Sequence, residues 1–280
     1  MHQAQCSRRP ARIHPRIIIA LVIALFSVVS YLGTRSFNPV TQETQYVDMT
    51  REQEVAIGLQ AAPEMAAQHG GLSADQEGQA RVDRVGHRIV QRSAAGQSDY
   101  PFEFHLLADR KTINAFALPG GQVFITQALY DQLSTDGQLA GVLGHEIAHV
   151  VARHGAEHLA KARLTQGLTG AAVIATYDPD RPSTMRNAAI AALVGQLITL
   201  KYGRDDEIES DRLGVQFMAE AGYDPHGMLR VMEVLAEAGR STGRPPELFS
   251  THPNPERRLE RIETEIRRQF PEGLPAGLEE

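Results

Sequence analysis

The first apolar feature along the chain is an uncharged run from Ile17 to Thr34, bracketed by Arg16 and Arg35. As a helix it is about 27 Å long, near the thickness of a bilayer core. Residues 35–48 follow with Asn38-Pro39 and several Gln and Thr, the texture of a polar linker. The periodicity then turns helical. Thr50 and Gln53 have capping-box spacing, Val55, Ile57, Leu59 and Met65 supply apolar positions, and Pro63 is expected to kink or divide the helix. A second helix is predicted over about 75–94, where Val82, Val85, Ile89 and Val90 recur at three- and four-residue spacing. Alternation replaces this pattern from Phe102 to Leu106, from Ile113 to Leu118 and from Gln122 to Thr126, with Pro119-Gly120-Gly121 as a turn. A small sheet of at least three strands is predicted there.

Beyond the sheet the pattern is helical almost throughout. Ser134, Thr135 or Asp136 caps a helix running to about His154, with Gly155 as its stop. Residues 163–176 and 186–201 are apolar. The second stretch contains Gln196 and Lys201 and has a short unbroken apolar part, so a buried or interfacial helix is preferred to a membrane span. Further helices are predicted over about 204–221, ending at Gly222, after Pro225, and from about Pro255 to Arg268. Residues 271–280, rich in Pro and Gly, read as a flexible, frayed tail. No repeat at solenoid periods is present. The predicted fold is α+β and mainly helical. A basic tail (1–16), the apolar segment (17–34) and the linker (35–48) precede one domain (49–270) and the tail (271–280).

Composition mainly excludes. The chain has 280 residues, 42% hydrophobic and 22% charged, enough for a sizeable core. A net charge of -6 and the lack of any nucleic-acid motif argue against a nucleic-acid partner. Cys6 is the only cysteine, so no intramolecular disulfide can form. It lies before the apolar run rather than at its end, which argues against lipoprotein processing. Arg8, Arg9, Arg12 and Arg16 precede that run, and no acidic residue occurs before Glu43. This suits an uncleaved signal-anchor with its basic end in the cytoplasm. A cleaved signal peptide is the competing reading, disfavoured because no Ala-x-Ala site follows the run, and an organellar transit peptide is a third.

The chemistry centres on Leu143-Gly144-His145-Glu146-Ile147-Ala148-His149. Positions i and i+4 share one face of a helix, so the two imidazoles can bind one zinc ion. Glu146, one position after the first imidazole, reaches a water at the metal without being a ligand. A third ligand must come from elsewhere. The extended motif with a downstream Gly and His is excluded, because Ala152 and Gly155 occupy those positions. His154 and His158 read as polar residues at a helix C-terminus. The better candidate is Glu207, with Asp211 on the same face as an outer partner for His145 or His149, and with Glu209 pointing away. The plain alternative is a solvated acidic helix start.

H-E-x-x-H followed at a distance by E-x-x-x-D resembles the gluzincin family that includes HtpX, BepA and the CAAX prenyl endopeptidases. Three segments strengthen the resemblance: Asn114-Ala115-Phe116-Ala117-Leu118-Pro119-Gly120-Gly121, Glu209-Ser210-Asp211-Arg212-Leu213-Gly214, and Ser250-Thr251-His252-Pro253-Asn254-Pro255-Glu256-Arg257-Arg258. It covers roughly residues 48–268. It implies a zincin-type metalloprotease domain, with its small β-sheet before the H-E-x-x-H helix. It also implies one zinc ion per chain on His145, His149 and Glu207, with Glu146 as general base and Asp211 as an acid or proton donor beside them. In the BepA-like branch the histidine matching His252 approaches the zinc and controls access, or helps bind the oxyanion; its plain reading is a helix-entry residue. The C-terminal repeats of BepA-like proteins and the several spans of HtpX-like ones are not expected here, so the nearest picture is a protease domain on a single anchor.

The resulting expectation is a membrane-tethered zinc metalloendopeptidase acting on misfolded or unassembled envelope or membrane proteins. It is set in a bacterial inner membrane with its catalytic domain in the periplasm; a soluble periplasmic form and an organellar one are alternatives. His252 and Arg204 are candidate oxyanion donors. Residues 113–118, including Asn114, Ala115 and Phe116, are a candidate edge for pairing with extended substrate. Residues 156–186 are a candidate lid. The competing functions are a non-enzymatic zinc-containing chaperone or assembly factor, which has no need of Glu146, and a prenyl-protein endopeptidase, which the single span disfavours.

Overall fold

The apolar run forms one helix, α1 (Pro15–Gly33), started by a proline in its first turn. The computed structural model describes residues 14–176, 201–252 and 257–280. The arginines at 8, 9 and 12, the apolar stretch at 186–200 and the helix start near Pro255 lie outside them. The expected linker is instead an antiparallel hairpin of β1 (Arg35–Asn38) and β2 (Glu43–Tyr46). It is ordered by a task that composition does not reveal. The Asn38 side-chain amide donates to the Val151 carbonyl at 2.8 Å, and that of Gln45 donates to the Ala152 carbonyl. Both carbonyls end a helix and have no partner within it.

Helix α2 (Arg51–Gln68) begins at the Thr50 capping box and runs unbroken through Pro63, contrary to the expected division. The bond that Pro63 cannot make is to Leu59, which is 50% exposed, so water can serve that carbonyl. Helix α3 (Gln76–Arg92) is capped by Asp75, and a short 3₁₀ turn (Ala94–Ser98) leads into the sheet. Strands β3 (Glu103–Leu107), β4 (Ala115–Leu118) and β5 (Gln122–Thr126) lie in the order β3-β5-β4, with β3 parallel and β4 antiparallel to β5. Both faces are covered. Ala115, Ala117, Val123 and Ile125 join the main core, while Phe116, Leu118 and Phe124 pack with Met65 and Leu159 on the other side. The turn before β5 needs its glycine: Gly120 has φ +87°, and a Cβ there would stand 2.4 Å from the Val55 Cα.

A short helix, α4 (Gln127–Tyr130), leads to α5 (Asp136–Val151), capped by Thr135 and Gln138 and buried from Gly137 to Val151. Gly155 does not stop it. The break falls at Arg153, which takes the left-handed conformation (φ 59°), and α6 (His154–Thr176) starts at the next residue. A non-glycine residue holds that conformation because its guanidinium is fixed to the buried Glu54 carboxylate (2.9 Å from Nε) and the Met49 carbonyl (2.8 Å). Helices α7 (Arg204–Glu220), α8 (His226–Thr242), α9 (Leu248–Thr251) and α10 (Arg258–Gln269) follow among the described residues. The C-terminal residues are docked rather than frayed. Backbone bonds join Glu279 to Gly222 and Asp224, and its carboxylate pairs with Arg88.

Candidate metal centre

Helix α5 carries His145 and His149 on one face, and α7 crosses that face closely. A Cβ at Gly214 would stand 2.6 Å from the Met228 Cε and 3.4 Å from the His145 backbone nitrogen. The crossing brings Glu207 to both imidazoles, and the end of α9 adds His252. The Nε2 atoms of His145 and His149 are 3.1 Å apart, and each is 3.4 Å from a Glu207 oxygen. His252 Nδ1 is 3.4 Å from His145 Nε2 and 2.9 Å from Glu207 Oε1. These four residues are buried, and one ligand atom from each lies within 4.8 Å of the others. Ligand atoms on one tetrahedral zinc, with bonds of about 2.0–2.1 Å, stand roughly 3.3 Å apart. The observed spacings match that figure. Glu207 Oε2, Glu146 Oε2 and His252 Nε2 are also buried without a hydrogen-bond partner, which is costly unless something polar is to be bound there. The nitrogen and carboxylate donors therefore fit one zinc ion.

Each imidazole is oriented from behind. Asp211 Oδ1 accepts from His145 Nδ1 at 3.0 Å, and the carboxylate is itself held by Arg258, whose Nη2 donates to Oδ1 at 2.8 Å and whose Nε donates to Oδ2 at 2.9 Å. Of the two imidazoles Asp211 was expected to serve, it takes His145. His149 has a different partner. Its Nδ1 is 2.9 Å from His154 Nδ1, and His154 Nε2 is 3.1 Å from Glu209 Oε2. His149 turns Nε2 to the cluster, so its proton sits on Nδ1 and is donated to His154 Nδ1. That leaves the His154 proton on Nε2 to be donated to Glu209. His154 is thus buried (1% exposed) rather than a solvated helix-end residue, and Glu209, which faces away from the cluster, still acts on it through one ring. Tyr202 stacks on His149 with ring centroids 3.8 Å apart.

The electrostatics follow from this packing. Burial opposes ionisation of Glu207, but the surrounding His145, His149 and His252 outweigh it and hold the carboxyl well below its ordinary range. Burial and Arg258 oppose a charge on His145, yet Asp211 and Glu207 lift it to about 9. Burial drives His149 well below its usual value, with the neighbouring histidines adding to the effect. A cation at the centre thus meets an ionised carboxylate and a neutral imidazole, with one proton on His145 to displace.

Glu146 adjoins the cluster, its Oε1 3.5 Å from His252 Nε2. A cleft of about 360 Å³ reaches the cluster at His252 and is lined also by Asn114, Phe116, Leu118, Tyr202 and Thr251. One wall is β4, the edge of the sheet, so Asn114, Ala115 and Phe116 lie along it. The Asn114 Oδ1 is buried without a partner. Arg204 is not part of this arrangement; it is exposed at the first position of α7. The buried guanidinium is that of Arg258, 3.1 Å from Glu207. Sequence reasoning missed Arg258, His154 and Tyr202 as site residues. Only Arg258 carried a signal, as the last residue of the segment that begins at Ser250.

The model of peptidase family M48 matches residues 76–266. The beta-barrel assembly-enhancing protease of Escherichia coli (strain K12) is 36% identical over 188 residues, which are 64% of this chain and 37% of that protein. The mitochondrial metalloendopeptidase OMA1 of Schizosaccharomyces pombe is 30% identical over 245 residues, 84% of this chain and 67% of that protein. That of Saccharomyces cerevisiae is 27% identical over 238 residues, 80% of this chain and 67% of its own. The chain therefore spans well under half the length of the bacterial relative. The family match covers more than half of the chain and encloses every residue of the cluster, and on that ground the chain belongs to peptidase family M48.

Proposed function

We propose that the chain is a membrane-tethered, zinc-dependent endopeptidase that cuts unfolded, misfolded or unassembled membrane and envelope proteins. The observation that carries this is the convergence of His145, His149 and Glu207 near Glu146, whose Oε2 has no hydrogen-bond partner, with His252 joining the cluster to a cleft walled by a sheet edge. His145, His149 and Glu207 hold the ion. Zinc there supplies Lewis-acid polarisation of the scissile carbonyl and activation of water. Glu146 takes the water proton and returns it to the leaving amine. Asp211 and His154 keep the two ligand rings in the required tautomer. The free edge of β4 pairs with the backbone of an extended substrate, and Asn114 offers its carbonyl oxygen to a substrate N–H. Recognition through backbone suits chains that have lost or not reached their fold. The name of the bacterial relative, an assembly-enhancing protease, agrees with such a substrate class. By the positive-inside rule the arginines before α1 stay in the cytoplasm and the catalytic domain faces the periplasm.

His252 stands where a fourth ligand would close the centre, and a closed centre is the usual form of a structural zinc site. That geometry favours a second reading, a zinc-stabilised module without activity. Glu146 argues against it, since a structural ion needs no base. The deciding experiment is zinc content together with casein cleavage for the full chain and for Glu146→Gln. Equal zinc in both, with cleavage reduced by about 10²–10⁴-fold in the variant, is expected. Full activity in a zinc-loaded Glu146→Gln would overturn the peptidase mechanism.

A further inference from the structure

Helix α1 does not stand alone. It packs along α6, and the two run in opposite directions. Tyr31 of α1 and Thr34 just after it are level with Ala160 and Arg163 of α6, while Ser27 is level with Gly167. Each helix gives the other one narrow stripe. On α1 the covered or half-covered positions are Arg16, Ala20, Ile23, Ala24, Ser27 and Tyr31; on α6, from Ala160 to Ala171, they are Ala160, Ala162, Arg163, Leu164, Gly167 and Ala171. Most of these residues are small, the composition by which helices approach within lipid. Gly167 is required to be so, because a Cβ there would stand 2.3 Å from the Ser27 Oγ. Outside the stripe α1 exposes Ile18, Leu21, Val22, Leu25, Phe26 and Val29, and α6 exposes Thr165, Gln166, Leu168 and Thr169, uncharged side chains of which Leu168 is the apolar one.

Charge stops at one level on both helices. No acidic or basic residue lies between Arg163 and the end of α6 at Thr176, or between Arg16 and Arg35 around α1. At the boundary Arg163 pairs with Asp48 at 2.5 Å, and Tyr31 stacks on Tyr46 with centroids 5.0 Å apart, as aromatic rings do at a membrane–water interface. Beyond it the hydroxyl of Ser27 is satisfied by its own helix, through Ile23 O.

We propose that α6 enters the lipid bilayer alongside α1, as the second helix of an embedded antiparallel pair, to a depth of about 20 Å measured from Arg163. This rests on α1 being a membrane helix and is independent of the peptidase reading. It has a consequence for that reading: α6 begins at His154, whose ring meets His149. The metal centre then lies about 14 Å along the helix from the charge boundary. The cleft is thereby assigned to polypeptide segments close to the membrane surface.

The test uses the full chain in liposomes, with Cys6→Ser as background and single cysteines at Lys161→Cys, Thr169→Cys and Val22→Cys, each carrying an environment-sensitive dye. Quenching of the dyes at positions 22 and 169 by acyl-chain nitroxide lipids is expected, with quenching by aqueous iodide only at 161. Iodide quenching at 169 with lipid quenching at 22 would place α6 in water and overturn the proposal. Protection at 169 from both quenchers would mean a protein partner, and iodide quenching at 22 would remove the membrane helix itself; either result also overturns it. None of these readouts depends on proteolysis, so a failure here is distinct from a failure of the proposed activity.

Discussion

At the residue scale, the histidine behind His149 can be separated from mere packing. His154→Leu removes the acceptor for the His149 Nδ1 proton and is expected to lower zinc affinity by about 10- to 100-fold, as losses of such partners typically do. His154→Asn places a carbonyl oxygen near the former Nδ1 and is expected to retain most of the affinity; competition against a chromophoric chelator measures both. Asp109 offers a pH-dependent case. Burial opposes its ionisation, but Thr112, the backbone N–H groups of Thr112 and Lys111, and His69 outweigh this and bring its pKa down to about 2. The folded value lies below the ordinary 3.8, so the stability that Asp109 contributes is present in full above about pH 4 and is lost as pH falls towards 2. Asp109→Asn is expected to flatten that part of the denaturation midpoint against pH, and an unchanged acid limb would refute the assignment.

At the scale of elements, the edge strand β4 beside the cleft depends on how closely α2 approaches the turn that follows it. Gly120→Ala adds a Cβ against Val55 and forces a left-handed residue other than glycine. A destabilisation of roughly 1–3 kcal/mol is expected, read from the shift in urea midpoint, with a raised KM as β4 is displaced. The break between α5 and α6 is a second lesson at this scale. Gly155 is the residue that local rules select as a stop, yet Arg153 makes the turn. Glu54, about a hundred positions away in sequence, and the hairpin of β1 and β2 supply the energy for it. The unbroken α2 has a similar origin, since Pro63 removes a bond only on an exposed face.

For the whole molecule, two side chains at the candidate metal centre come from the C-terminal helices. His252 reaches the cluster from the end of α9, and Arg258 reaches it from the start of α10. Both hold Glu207, one from each side of a segment that sequence analysis could only flag as a motif. If His252 closes the centre, His252→Ala is expected to keep stoichiometric zinc and to raise casein cleavage several-fold. Zinc-loaded protein with cleavage abolished would instead make His252 part of the oxyanion site.

By itself the sequence determined what depends on neighbours within about one helical turn or one strand. These features are the shared face of His145 and His149, that of Glu207 and Asp211, the cap at Thr50, a cap among Ser134, Thr135 and Asp136, the alternation that built the three-stranded sheet, and the apolar run of α1. Each is fixed by a repeat of 3.6 or 2 residues, so it is legible without knowing what lies opposite. Only the tertiary structure decided that Arg258 rather than Arg204 is the guanidinium at the centre. It also decided that His154 and Glu209 serve His149, that residues 35–46 pair into a hairpin, and that the C-terminal tail is docked. Those outcomes turn on which buried polar group meets a partner from a distant element. Local periodicity carries no information about that match, because the cost of leaving such a group unpaired arises only when the helices pack.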